Sequence, residues 1–293
     1  SAPALTGSTN NTITTVTGAN AIQGEANLTF DGSILHAQDS TGTTPGTAQL
    51  VIRKGAGAGA ANPAFTRANS YIHLGGSEWG ASADGLYALS FGYAQGSGST
   101  YTPAYLGFKE TSVAGNTKGD LVFATRDATS DSVPTERLRI NSSGAVTKPT
   151  QPSASCYFNG SGAVGGSGTK ISSGDVGVMN STRWNTGSHY DTSNGRFTCP
   201  VAGKYEVQFN TNLALNNLSV SHYFQVSVYK NGSRYLDNYD LCTQANYQHF
   251  GFSNFVDCSA SDYLDIRYSS TSNNTFGADA SVYYNSVVFR LVQ

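Results

Sequence analysis

No window of a dozen residues in this chain keeps apolar side chains at i, i+3, i+4 and i+7 without a Gly or Asn breaking the run. Long amphipathic helices are thereby excluded. Short stretches rich in Val, Ile, Tyr and Phe alternate instead with clusters of Gly, Ser, Thr and Asn, the turn-forming residues. Only 12% of the residues are charged, about half the usual share. These features predict an all-β chain with many turns, and 293 residues are enough for two domains, each with its own core.

A net charge of -2 and a pI near 6.2 give no broad attraction for nucleic acid or anionic membranes. No apolar run approaches the roughly 20 residues that span a bilayer, so no membrane insertion is expected. The amino end, Ser-Ala-Pro-Ala-Leu, lacks the basic and apolar regions of a secretion signal, and a start at Ser1 reads as processing or truncation. Cys156, Cys199, Cys242 and Cys258 all fall in the second half, without a CxxC pair or a His-rich segment to complete a zinc site.

In the first half, residues 11–35 read as short β segments ending in a strand, an Asp31-Gly32 turn and a second strand. A similar unit returns at Leu138-Arg-Ile-Asn-Ser-Ser-Gly-Ala-Val146. Between them, residues 48–54, 70–74, 86–93, 104–110 and 119–126 read as strands. A lone hairpin is marginal in water, so such units need neighbours or copies from other subunits. Gly55-Ala-Gly-Ala-Gly59 lacks the Lys-Ser/Thr ending of a phosphate loop and reads as a turn.

Three phrases in this half carry a resemblance: Gly24-Glu-Ala-Asn-Leu-Thr-Phe-Asp-Gly-Ser33, Gly119-Asp-Leu-Val-Phe-Ala-Thr-Arg126 and Thr135-Glu-Arg-Leu-Arg-Ile-Asn-Ser-Ser-Gly144. They resemble recurrent segments of bacteriophage tail-fibre and virion structural proteins. That likeness implies a trimeric fibre region at residues 1–152, other virion proteins as partners, and assembly into a virion in the bacterial cytoplasm. A reducing cytoplasm implies mostly free thiols.

A two-proline linker, Lys148-Pro-Thr-Gln-Pro-Ser153, marks the expected domain boundary at 152/153. Beyond it, Trp184 to Val207, with its Tyr190-Asp191 turn and Gly195-Arg-Phe-Thr-Cys-Pro200, resembles the signature of C1q and tumour-necrosis-factor-like jelly rolls. Phe224-Gln-Val-Ser-Val-Tyr-Lys-Asn-Gly232, Asp262-Tyr-Leu-Asp-Ile266 and Ser286-Val-Val-Phe-Arg-Leu-Val292 follow in the order of that fold. Ser261 replaces the usual Gly before Asp262, so a differently shaped turn is expected there. The resemblance implies a jelly-roll head at residues 153–293 that associates as a homotrimer.

Alternation agrees. Tyr205, Val207 and Phe209, then Phe224, Val226 and Val228, then Leu264 and Ile266, each place one apolar face against an opposing sheet. The expected strands after Pro200 are 203–213, 222–230, 233–241, 247–258, 262–269 and 281–292. If both ends of the head sit at its base, the loops near 216–219, 243–246 and 270–279 share the far tip. Residues 231–232 and 259–261 then lie at the base. Asn216, Asn217, Asn246, Tyr247, Asn273, Asn274 and Phe276 are accordingly the expected receptor-binding residues, amides and aromatic faces suited to sugars or polar protein surfaces.

No catalytic residue, cofactor or metal site is assigned. The histidines, His36, His73, His189, His222 and His249, show no two-His metal spacing, and Gly160-Ser-Gly-Ala-Val-Gly165 matches a dinucleotide glycine pattern without a βαβ context and reads as a loop. Glycan cleavage would need two carboxylates flanking a glycosidic bond. Asp237, Asp240, Asp262 and Asp265 are instead expected in strands and turns. Asp237, Asp240 and Asp279 carry oxygens suited to calcium, but no Asp-x-Asp-x-Asp-Gly loop accompanies them. The function expected is attachment of a phage to the host surface, with a glycan or protein as receptor. A structural virion fibre and a secreted C1q-like lectin are the alternatives.

Overall fold

In a computed structural model of the chain, the described residues are 12–18, 21–30, 35–37, 72, 74, 85–92, 100–112, 114, 117–159, 162–164, 169–170, 179–214, 219–243, 247–271, 276–278 and 283–293. Every regular element among them is a β-strand, which bears out the all-β expectation. The chain forms two compact units, Ser1–Gly75 and Gly76–Gln293.

The first unit contains β1 (Thr12–Gly18), β2 (Ala21–Phe30) and β3 (Leu35–Ala37) in one antiparallel sheet of order β1-β2-β3. Phe30 pairs with Leu35, with Asp31 and Gly32 between them and outside the described residues. The strand expected at 48–54 also lies outside them, as does most of the one at 70–74.

The second unit opens with a five-stranded meander: β4 (Leu86–Phe91), β5 (Ala104–Ser112), β6 (Lys118–Thr125), β7 (Thr135–Ile140) and β8 (Val146–Thr147). One row across the sheet runs Leu89, Leu106, Phe123, Leu138, and the next runs Phe108, Leu121, Ile140, Val146. The opposite face is mixed. Val122 and Ala124 are buried there, with Arg139, Glu136 and Tyr105 as their cross-strand neighbours. On that face Arg139 bonds both Asp120 and Glu136, and Asp120 also accepts from the Ser142 N–H at 2.9 Å. The guanidinium of Arg139 holds the Asp120 carboxyl below the usual carboxylate range.

The turn from β7 to β8 is built on one side chain. Asn141 Oδ1 accepts from Ser143 N (3.1 Å), Ser143 Oγ (2.8 Å) and Ala145 N (2.8 Å). Gly144 takes φ 89, left-handed backbone that a β-carbon would strain.

Next come β9 (Ser153–Tyr157), β10 (Gly162–Val164), β11 (Thr169–Lys170), β12 (Ser181–Thr186), β13 (Tyr190–Asp191) and β14 (Arg196–Thr198). Then follow β15 (Gly203–Ala214), β16 (Tyr223–Lys230), β17 (Ser233–Leu241), β18 (Tyr247–Cys258), β19 (Tyr263–Ser270), β20 (Phe276–Ala278) and β21 (Ser286–Leu291). They make two sheets. The first runs β10-β20-β15-β21-β9-β12 with β18 also paired to β15, and the second runs β13-β14-β19-β16-β17 with β11 paired to β19.

The inward alternation read from the sequence is the core. Tyr205, Val207, Phe209 and Phe289 of the first sheet and Phe197, Phe224, Val226, Val228 and Leu264 of the second are wholly buried. Phe197 stacks on Phe289 at 5.1 Å and meets Tyr205 edge-on at 5.8 Å, while Phe224 meets Phe250 at 5.0 Å. Each such ring contributes roughly 1.5–3 kcal/mol over an exposed one.

β17 and β18 coincide with the expected strands 233–241 and 247–258. The last expected strand, 281–292, begins later, at Ser286, because Asn285 breaks the ladder. Asn285 Oδ1 accepts from Thr211 Oγ1 (2.6 Å) and Asn212 N (3.2 Å), and its carbonyl accepts from Phe158 N. An additional short strand, β20, precedes it and pairs with β10 and β15. The glycine-rich 160–165 segment, expected as a loop, instead contributes a strand, Gly162–Val164, because it pairs with β20.

At the base, Lys204 N donates to Gln293 O and Leu291 N to Pro152 O, so both ends of the sandwich meet. Asp262 is the fastener there. It accepts from Asn231 Nδ2 (2.7 Å) and Ser259 N (2.8 Å), and these bonds hold its carboxyl below the usual range. Ser261 has a left-handed backbone, φ 71, where a non-Gly residue costs roughly 1–2 kcal/mol. Glycine would relieve that cost while adding about 0.5–1 kcal/mol of chain entropy to the unfolded state. Ser261→Gly is therefore expected to stabilise the sandwich by up to about 1 kcal/mol. Its melting temperature should rise by roughly 2–4 °C, and a fall in a thermal melt would contradict the strain assigned to this turn.

All four cysteines are free and buried. Burial pushes the Cys156 thiol up, and a hydrogen bond between Cys199 and Cys258, together with burial, keeps the Cys199 thiol protonated.

Candidate functional site

The strand ends opposite the base form the expected tip. Ala214 pairs with both Tyr247 and Gly277, and on the second sheet Tyr223 pairs with Leu241 while Phe224 pairs with Ser270. Of the seven expected binding residues, Tyr247 opens β18 and is 54% exposed, and Phe276 opens β20 opposite Val164. Asn216, Asn217, Asn246, Asn273 and Asn274 lie outside the described residues.

The described part of the tip is firmly built. Gln248, buried under it, accepts from Thr243 N (3.0 Å) and donates to Leu241 O (3.0 Å), tying both ends of the 242–247 connection together. Cys242 N donates to His222 O and Ser221 N to Cys242 O, closing the start of β16 against the end of β17.

Beside the tip, the outer face of the second sheet presents a second surface, away from the expected binding residues. Because Phe224, Val226 and Val228 point inward, Tyr223, Gln225 and Ser227 point outward, in register with Leu241, Tyr239 and Asp237. Tyr239 is 72% exposed, and Tyr223 and Leu241 are exposed with it. The next rows are polar. Ser227 Oγ donates to Asp237 Oδ1 at 2.6 Å, and Arg267 lies 4.1 Å over the Tyr229 ring while its Nε donates to Asp265 Oδ1 at 2.7 Å. The Asp265 hydrogen bond raises the Arg267 pKa further, so its charge is fixed. An aromatic platform thus adjoins an amide, a hydroxyl and paired charges. The signal was present in β17, where Tyr235, Asp237, Tyr239 and Leu241 alternate with Leu236, Asn238 and Asp240.

Asp237, Asp240, Asp262 and Asp265 are each hydrogen-bonded within the fold. Asp237 accepts from Ser227, Asp240 from Leu241 N and Gln248, Asp262 from Asn231 and Ser259, and Asp265 from Arg267. Among the described residues no three metal-ligating side chains converge, and Asp279 lies outside them. His189 packs edge-on against Phe197, and partial burial lowers its pKa.

The family model described as the C1q domain matches residues 166–279. Two solved structures are similar: the globular domain of zebrafish complement 1qA protein and the Eiger TNF of S. frugiperda. The first shares 12% identity at TM-score 0.37, over 49% of this chain and 98% of that one. The second shares 11% identity at TM-score 0.35, over 49% of this chain and 94% of that one. No curated protein matches the chain. The matched residues leave out β9, β10 and β21, and β9 and β21 pair with each other inside the first sheet. On this all-β chain, residues 166–279 are thus similar to the C1q domain.

Proposed function

We propose that this chain is a homotrimeric attachment fibre of a bacteriophage, whose C1q-like head, residues 153–293, binds a glycan or protein on the bacterial surface. The observation that carries this reading is the match to the C1q domain on a sandwich whose two ends meet at the base, opposite the strand ends at Ala214, Tyr223 and Tyr247. C1q-like domains commonly assemble as trimers and bind through exposed loops. The fibre-like phrases of the first half and the low charge support a virion component assembled with other virion proteins.

The outer-face platform of Tyr239, Tyr223 and Gln225 favours a saccharide, since phenol rings stack on sugar faces and amides bond hydroxyls. The same platform also suits a C1q-like lectin outside any virion. Immunolabelling of phage particles separates the two readings, because label on fibre tips is expected of the first alone.

Two variants locate the ligand: Asn273, Asn274 and Phe276 changed together to Ala, and Tyr239→Ala. One of them is expected to weaken adsorption to host cells at least tenfold, a loss of about 1.4 kcal/mol or more, with the melting temperature and molecular mass unchanged. Full adsorption by both would refute the tip and the platform as binding surfaces.

A further inference from the structure

The five-stranded sheet carries an apolar face with no layer of described residues assigned to it. Leu89, Phe91, Phe108, Leu121, Phe123 and Val146 share that face and are 36–61% exposed. No charged side chain stands in the two rows that cross it, and the Tyr87 hydroxyl at its margin is turned toward Glu110. Sheets with one apolar face are stable only when that face is covered, and a contiguous exposed patch of this kind marks an interaction surface.

We propose that this face is a self-association surface, covered by the same face of other copies of the chain. The copy number, three, rests on the trimeric reading above, whereas the self-pairing does not. A partner rich in charge or hydroxyls finds in these rows only the Tyr87 hydroxyl, which is turned toward Glu110, so a dry sheet face is the fitting complement. The inner faces of the sandwich are spent on each other, and its outer platform carries Gln225, Asp237 and Arg267 beside the rings, so this dry face is its own best match. Its size also fits. Five strands about 4.8 Å apart and about six residues long span on the order of 500 Å². Two such faces bury about 1,000 Å², the lower bound of a specific interface. The opposite face of the same sheet already buries Val122 and Ala124 and bonds Arg139, Glu136 and Asp120 together.

Phe123→Cys in the full chain tests this, because the four native thiols are buried. A short bis-maleimide is expected to join two copies through the thiol introduced at position 123 and not through an Ala128→Cys control, which lies in an exposed loop. Phe123→Glu should raise the concentration at which the assembly dissociates at least tenfold in light scattering. An oligomer that neither cross-links at position 123 nor responds to Phe123→Glu would overturn this face while sparing the trimer. A wild-type monomer, with the introduced thiol freely alkylated in the Phe123→Cys variant, would overturn both. A monomer in which that thiol is shielded would overturn this proposal in favour of a cover supplied by residues 38–84.

Discussion

Replacing Phe197 by Ala is expected to cost the sandwich about 3–5 kcal/mol, which corresponds to a fall in melting temperature of roughly 6–20 °C. Phe197 is fully buried on a strand of only three residues, so side-chain packing rather than ladder length holds β14 in place. Its ring lies flat on Phe289 of the facing sheet, and Tyr205 and His189 meet its edges. Removing it opens a cavity between rings that cannot move inward without leaving their own rotamers. Calorimetry checks the effect. A fall below about 3 °C would mean that the two sheets are not joined at this stack.

Arg267→Leu is expected to be nearly as damaging, at about 3–5 kcal/mol, although Arg267 lies on the outer face of its sheet. Asp265 beside it is 0% exposed, and the guanidinium meets it with two nitrogens, Nε at 2.7 Å and a second at 3.3 Å. Leucine takes away that cation and leaves a carboxylate in a dry environment. It also removes the stack on Tyr229. Arg267→Lys should recover only part of the loss, since an ammonium cannot form the planar fork or lie flat on the ring. The shift in urea midpoint, followed by tryptophan fluorescence, measures both variants. Equal stability of wild type and Arg267→Leu would show that this pair contributes little.

The inward rows were legible because a strand has period two: Tyr205, Val207 and Phe209 could share only one face, and that face is the core. Strand ends set by turn chemistry were legible as well, as at Asn231-Gly232 between β16 and β17. The late start of β21 was hidden, because Asn285 ends the ladder through Thr211 and Asn212, more than 70 residues away. Tyr239 was passed over for a similar reason. Its alternation is visible in β17, but its place beside Gln225 and Tyr223 follows only from the register with β16.

Local sequence therefore determined the all-β class, the longer strands and the side of each that faces inward, since these depend on backbone preference and on the alternation of neighbours along the chain. Tertiary structure alone decided which strands lie side by side. It thereby made one apolar face from Leu89, Phe123 and Val146, joined Arg267 to the buried Asp265, and set the Cys199 and Cys258 thiols together. Such contacts join residues far apart in the chain, and their energies depend on burial and distance in space, which no short window of sequence contains.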